Sequence, residues 1–533
     1  MNPLKKYTLI LVSILSIGFA GNSFAKEIYV SNANLTIGDG SLLNPYNTIQ
    51  QAADVAVSGD IITIRAGVYR EEVRMVSDGV TYRSYPGETV VVNGTEQLKN
   101  WLPVLGGSLY PSNQLFVDQK MIELVRWPSQ TSSNISIPSN AIADDATSNI
   151  PPLRGKLGIL KDADFDEPDG RWVGATIWLN LSRDNLDGQG WTGRVVATDR
   201  VAKTITYDFR QPIRLGHQPW SIGKGTEYYL FNPTKAGVEA TGGVNAILDP
   251  GEWLKLDSTV YVNMPNGLAP SSIELVGNVV EAKKREFAFR LKSDTSNLSN
   301  YTIKDLNIFA STITTDTRYL QDYRTIKEDA NFITLDGINA KYLSHFTEIG
   351  GFGNEAFYGR SGIVLSGRNN TIKNCNIEFS GSQGISILGG GNKAFNNTIT
   401  SANYMVTNAG ALATGNICVD CEIAYNTVSN TSHIGINFAG FKNSDGNKKG
   451  IARIHHNKLY DFLLRSNDSG GINDVGTFGN WARIDHNVLT KTFNTTRSDQ
   501  DVYGLYFDFN EGSYFVDHNV IYGMKQALLI NKT

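Results

Sequence analysis

A corner recurs through the C-terminal half of this 533-residue chain. An asparagine is followed, one or two places on, by an apolar residue. The copies are Asn307-Ile308, Asn376-Ile377, Asn397-Thr398-Ile399, Asn426-Thr427-Val428, Asn457-Lys458-Leu459, Asn487-Val488-Leu489 and Asn519-Val520-Ile521. From Asn376 onward the spacings are 21, 29, 31, 30 and 32 residues. A repeat of this length marks a solenoid, in which each unit covers the open face of its neighbour. One period holds three short strands and their turns. An asparagine at the same corner of every coil can hydrogen-bond along the column, and its tolerance of left-handed backbone suits a tight bend.

A second strand recurs between the corners: Gly362-Ile363-Val364-Leu365, Gly384-Ile385-Ser386-Ile387, Gly410-Ala411-Leu412, Gly435-Ile436-Asn437-Phe438, Gly471-Ile472-Asn473 and Gly504-Leu505-Tyr506-Phe507. Strand alternation predicts that the residue after each glycine points inward. Ile385, Ile436, Ile472 and Leu505 then form an aliphatic ladder, and Ser386, Asn437, Asn473 and Tyr506 form the outward column. The expected fold is all-β, a right-handed parallel β-helix, with the handedness taken from the general rule for parallel crossovers.

The rest of the chain divides around that solenoid. Lys5 and Lys6 precede an apolar run from Tyr7 to Ala20, and Ser23-Phe24-Ala25 supplies small residues for cleavage, so residues 1–25 read as a secretory signal peptide. The run is too short to span a bilayer, and an exported protein, periplasmic or extracellular, without a membrane span is expected. Residues 26–99 read as an N-terminal cap and the first coils. Ile49, Ala52, Ala53 and Ala56 give Thr48–Val57 a helical period. Residues 100–290 break the repeat and hold Trp101, Trp127, Trp172, Trp178, Trp191, Trp220 and Trp253, seven of the eight tryptophans. They read as a small inserted β-domain whose tryptophans form its core. Residues 291–533 are the main β-helix. The sequence stops inside another coil at 526–531, so it is expected to be a fragment or to be closed there by a partner.

Charge and cysteine content narrow the function. Lys and Arg number 48 against 52 Asp and Glu, a net charge of −4, which gives no general basis for binding nucleic acid. Three cysteines rule out a disulfide scaffold. Cys418 and Cys421 are spaced C-x-x-C, but strand alternation turns them to opposite faces and no second pair follows, so neither metal nor redox chemistry is expected.

Carboxylates gather in two successive coils, Asn467-Asp468-Ser469-Gly470-Gly471-Ile472-Asn473-Asp474 and Asp501-Val502-Tyr503-Gly504-Leu505-Tyr506-Phe507-Asp508. Asp468 stands at the entry of one strand and Asp508 at the exit of the next, both expected on an open rim. A carboxylate pair is the usual means of hydrolysing a glycosidic bond: one protonates the leaving oxygen, the other attacks the anomeric carbon or activates water. Asp501 shares a column with Asp468 and is a rival. Asp474 falls where Phe438 and Phe507 sit; if that position points inward, it is structural. His433, Asn437, Asn473 and Tyr506 are candidate substrate contacts. His455, His456, His486 and His518 lie beside the corners and read as turn residues. Glu348 and Glu355 are candidates for a third acid or a calcium ligand; otherwise no cofactor is expected.

Taken together, Gly38-Asp39-Gly40, Asn44-Pro45-Tyr46, Ile64-Arg65-Ala66-Gly67-Val68-Tyr69, Leu115-Phe116-Val117-Asp118, Arg126-Trp127-Pro128, Asp249-Pro250-Gly251-Glu252-Trp253, the Asp468-x-Gly-Gly-Ile coil and the Gly504-Leu-Tyr-Phe-Asp508 coil resemble the exported bacterial right-handed β-helix glycoside hydrolases with an inserted β-domain, including the family 141 type. The resemblance implies a pectate-lyase-like solenoid, a plant or algal polysaccharide or oligosaccharide as substrate, and Asp468 and Asp508 as the catalytic acids. The chain departs from that pattern at Asn473-Asp474, where an aromatic and a hydroxyl residue are expected. Two other functions fit a β-helix. A polysaccharide lyase would use cations such as Arg453, Arg483 or Lys491 to hold a uronate. A non-catalytic carbohydrate-binding or adhesion solenoid would show no convergent carboxylates.

Overall fold

The computed structural model of the chain describes residues 25–33, 38–99, 113–146, 157–181, 188–208, 222–267, 279–291, 298–315, 330–349, 361–414, 419–438, 451–475, 481–492, 502–508 and 514–531. Three long parallel sheets run through it. The first has eleven strands, from Glu27–Val30 to Tyr514–Asp517. The second, from Gly67–Tyr69 to Val520–Tyr522, and the third, from Val73–Met75 to Gln526–Asn531, have ten each. The chain visits them in turn, one strand per sheet per coil, so each strand pairs with its equivalents one coil above and below. This is a parallel β-helix. The expected leader lies outside the described residues, apart from Ala25. Among the described residues, no helix is long and apolar enough to cross a membrane.

The interior is filled by aliphatic ladders. In the second sheet Ile377, Ile399, Val428, Leu459, Leu489 and Ile521 are successive register partners. In the third, Ile385, Leu412, Ile436, Ile472 and Leu505 are. At the N-terminal end a helix, Ile49–Val55, starts at a capping box between Thr48 and Gln51 and buries Ile49, Ala52 and Ala53 in the same core.

The asparagine ladder exists, but it starts elsewhere than the sequence suggests. Asn397, Asn426, Asn457, Asn487 and Asn519 are buried or half-buried, and each of the first four donates from Nδ2 to the next Oδ1 at 2.9 to 3.0 Å. The backbone N–H of each of those four donates to the same oxygen at 3.0 Å. Cys375 precedes Asn397 in this column, its N–H donating to Asn397 Oδ1 at 3.1 Å. Asn376 belongs to the neighbouring column with Asn307 and Asn339. The left-handed residue is the one before the ladder position: Asn374, Asn396, Tyr425, His456, His486 and His518 all have φ between 50 and 60°. The ladder asparagine therefore satisfies buried backbone, and its predecessor takes the bend.

The recurring glycine also does something other than alternate. A Cβ on Gly384 would stand 2.9 Å from Ile399 Cγ2, one on Gly435 2.7 Å from Leu459 Cδ2, and one on Gly471 2.8 Å from Phe462 Cζ. All three contacts are core residues. The glycine and the residue after it both face inward, because the chain enters the third sheet through a corner pressed onto the core of the second. Ala411 holds this place in its coil, since Leu412 is the partner of both Ile385 and Ile436. The Gly410 copy is thus one residue out of register with the others.

Between Val90–Asn93 and Phe287–Leu291 the chain leaves the solenoid to build an eight-stranded and a six-stranded sheet. Trp172, Trp178, Trp191 and Trp253 are all buried here. Trp101 and Trp220 lie outside the described residues.

Candidate active site

Three strands of the third sheet carry the candidate residues: Ile434–Asn437, Ser469–Val475 and Val502–Asp508. Register puts Ser386, Ala413, Asn437, Asn473 and Tyr506 in one outward column. Asp468 lies in the turn just before its strand, with φ of 53°. Asp508 ends the next strand, opposite Val475. In a fully extended ladder, seven residues at about 3.3 Å each would hold the two carboxylates far apart. The strand bends instead. A Cβ on Gly470 would come within 2.8 Å of Tyr506 Cβ, which brings the Asp468 turn back over Tyr506.

Tyr506 is the hub. Its Oη donates to Asp468 Oδ1 at 2.9 Å. Burial, and then the charges of Asp468 and Asp508 together with that hydrogen bond, push its phenol far above the ordinary tyrosine range. Its ring stacks on Tyr503 with centroids 5.1 Å apart. Asp508 lies on the same strand face, two residues on, and Asn531 Nδ2 donates to its Oδ1 at 2.7 Å.

The rim is less open than the sequence suggests. Asp468 is half-buried, but Asp508 is only 9% exposed and Tyr506 3%. The next coil, through Asn531, and the Tyr503 ring cover them. Asn473 is buried with its Oδ1 unpartnered, while Asn437 is half-buried. His433 is buried just before its strand, and its Nδ1 lacks a hydrogen-bond partner. Burial holds the His433 imidazole down at about 3, so it is neutral.

Asp474 points the other way. It pairs in register with Phe507, is fully buried, and receives a hydrogen bond from Tyr514 Oη at 2.7 Å. It is an interior structural carboxylate. Asp501 and Glu355 lie outside the described residues. Glu348 is exposed, 4.0 Å from Arg194. Arg453 and Arg483 pair with Asp485 and Asp517 at 2.7 and 2.8 Å on the first sheet, away from the candidate column. Lys491 is buried, its Nζ donating to Leu463 O at 2.8 Å. Among the described residues no group of three or more His, Cys, Asp or Glu side chains is placed to hold a metal ion. Cys375 and Cys421 are buried free thiols, and Cys418 lies outside the described residues.

Residues of the insert join this region with no forewarning in the sequence. Arg465, three residues before Asp468, pairs with Glu227 at 3.1 Å and lies over the Trp178 ring at 4.7 Å. Asn180 Nδ2 donates to Arg465 O at 2.8 Å and to Glu227 Oε2 at 3.1 Å. Arg465 holds the buried Glu227 carboxyl below its usual range against the opposing effect of burial. The pair is separated by 238 residues, and nothing local announces it.

A separate cleft lies elsewhere. It has a volume of about 620 Å³ and lies where the insert rejoins the solenoid, around Lys255 and Lys283. Aspartates from two successive coils make the third-sheet column the candidate for chemistry, and size alone does not make a site.

The sequence matches no protein-family model and no curated protein. Among solved structures, a protein described as a glycoside hydrolase aligns over 95% of this chain and 97% of its own, at 14% identity and a TM-score of 0.59. The complex of XylC with xylose aligns over 92% of this chain and 68% of its own, at 15% identity and a TM-score of 0.43. A lacto-N-biosidase from Eubacterium ramulus aligns over 94% and 68%, at 9% identity and a TM-score of 0.33. The likeness to the first is one of fold.

Proposed function

We propose that this chain is an exported glycoside hydrolase acting on a plant or algal polysaccharide or oligosaccharide, with Asp468 and Asp508 as its carboxylate pair. The observation that carries the reading is Tyr506, a buried phenol that donates to Asp468 and also feels the charge of Asp508. Glycoside hydrolysis needs one carboxyl to protonate the leaving oxygen and a second to attack the anomeric carbon or activate water. Each aspartate accepts a hydrogen bond, but Asp508 is the more buried of the two, and burial favours the protonated acid. Asp468 is therefore assigned as nucleophile or base, and Asp508 as acid. Asn437, Asn473 and His433 would meet sugar hydroxyls, and the unpartnered atoms of the last two are suited to such contacts. The fold shared with a glycoside hydrolase supports this reading, and the segment Lys5–Ala25 supports export.

Reducing-end release over a panel of plant and algal glycans is the first test. Asp468→Asn and Asp508→Asn should each lower turnover by about a thousandfold or more while the protein stays folded. A carboxylate pair can carry this reaction unaided, so activity should survive chelation; loss of activity on chelation would point to a calcium ligand such as Glu348 or Glu355. Products absorbing near 235 nm would mean a lyase. Silence on every glycan would leave a binding solenoid.

A further inference from the structure

The 620 Å³ cleft has its own chemistry. One wall is the strand Glu252–Leu256, where Trp253 and Lys255 share a face. The floor is Lys283–Lys284–Arg285–Glu286, the turn by which the insert returns to the solenoid. Thr347 closes it from the solenoid side, and Asn113 and Asn232 add amides. No lining residue comes from the strands that carry Asn473 and Tyr506 or from the Asp468 turn.

The charges do not cancel within it. Four cations line the cleft against two carboxylates, Asp257 and Glu286. Asp257 is already held by Lys235, outside the cleft, at 2.8 Å. Arg285 turns to Glu96 and to Thr95 O. Lys284 stands 4.0 Å from that same Glu96. Lys255 has no ion-pair partner among the described residues. Lys283 is the decisive group. Its side chain is only 5% exposed, yet among the described residues its ammonium has two long contacts, Leu343 O at 3.3 Å and Glu286 at 3.6 Å. A buried ammonium has three donors to satisfy, and burying one with weak partners is costly. An anionic oxygen entering the cleft would complete it.

We infer that this cleft is a binding site for an acidic saccharide, a short glycan segment bearing carboxylate or sulfate groups, apart from the carboxylate pair. The ammonium groups take the acid, and the amides and the Thr347 hydroxyl take sugar hydroxyls. The inference rests on the glycan-active reading and names the class of glycan.

Calorimetric titration of the Asp508→Asn protein tests it, because that variant should not consume its ligand. The probes are a trigalacturonate, a sulfated trisaccharide and neutral xylotriose. An acidic trisaccharide should bind, more weakly as salt is raised, and Lys255→Glu should weaken it about tenfold. Lys283→Met is a second variant, removing the buried ammonium without reversing charge. Whichever acidic probe binds more tightly identifies the acid as carboxylate or sulfate. Equal binding of xylotriose, no binding of either acid, or an unchanged affinity in Lys255→Glu would overturn the inference. If the native protein releases reducing ends while these titrations fail, only the cleft assignment falls. If acidic probes bind the cleft and no glycan is cut, the hydrolase assignment falls instead.

Discussion

Tyr506 is held by charges that it also organises. Burial, and then two aspartates, keep its phenol protonated, and the protonated phenol hydrogen-bonds one of them. Tyr506→Phe deletes that donor and leaves the ring stacked on Tyr503. Turnover should fall about a hundredfold with little change in melting temperature; wild-type turnover in that variant would take Tyr506 out of the mechanism. His433 carries a different consequence. Its folded value near 3 lies below the 6.5 of an unfolded histidine. The unfolded chain therefore binds the extra proton first. The stability tied to a neutral His433 is complete above pH 6.5 and drains as pH falls toward 3, by up to ~1.4 kcal/mol per pH unit. Urea melts at pH 7 and 4.5 should show this loss, and His433→Gln should flatten it. The sequence makes the column Asn437, Asn473, Tyr506 legible, because strand period and repeat together set the register. It also flags Asp474 as a residue to be paired if inward, and Tyr514 is that partner. The bend that folds Asp468 back over Tyr506 is not legible, since strand alternation does not record the close approach at Gly470, of a kind that Gly410 also makes against Asn437.

The strand corner is where sequence reading and structure part. Alternation is a property of regular strand, and it assigns the glycine of each Gly-Ile pair to the outside. Both residues face inward because the chain turns there against the second sheet's core. Gly471→Ala would drive a methyl group into Phe462 and Leu489, at 2.8 and 2.9 Å. It should destabilise the protein by about 1–3 kcal/mol, read as a lower denaturation midpoint with an unchanged slope. Ala411→Gly, in a coil that already holds alanine at this place, should move the midpoint far less. The asparagine corners were visible as a repeat, yet their first member was not. Cys375 stands at the ladder position and Asn376 beside it mimics the pattern, and only hydrogen-bond partners separate the two.

Across the whole molecule, the insert and the solenoid are joined by polar groups buried between them. Arg465 and Glu227 form an ion pair that is almost fully covered, beside the Trp178 ring and three residues from Asp468. Removing one partner strands the other charge, so Glu227→Ala should cost about 3–5 kcal/mol. Glu227→Ala combined with Arg465→Ala should cost less than the sum of the two, which a double-mutant cycle reads directly. Compositional change and tryptophan density locate the insert in the sequence, but its docking face follows from pairings across more than two hundred residues.

Each ladder amide donates both to a carbonyl of the coil before it and to the amide of the coil after it, and each is answered by the same group in the same place. A segment from one such asparagine to the next, as from Asn426 to Asn457, therefore ends in the joint with which it began. Copying it in tandem would present both neighbours with a surface they already fit, and the trough would lengthen by one strand spacing, about 4.8 Å. Length in this architecture is an adjustable dimension, set by how many such segments the chain repeats.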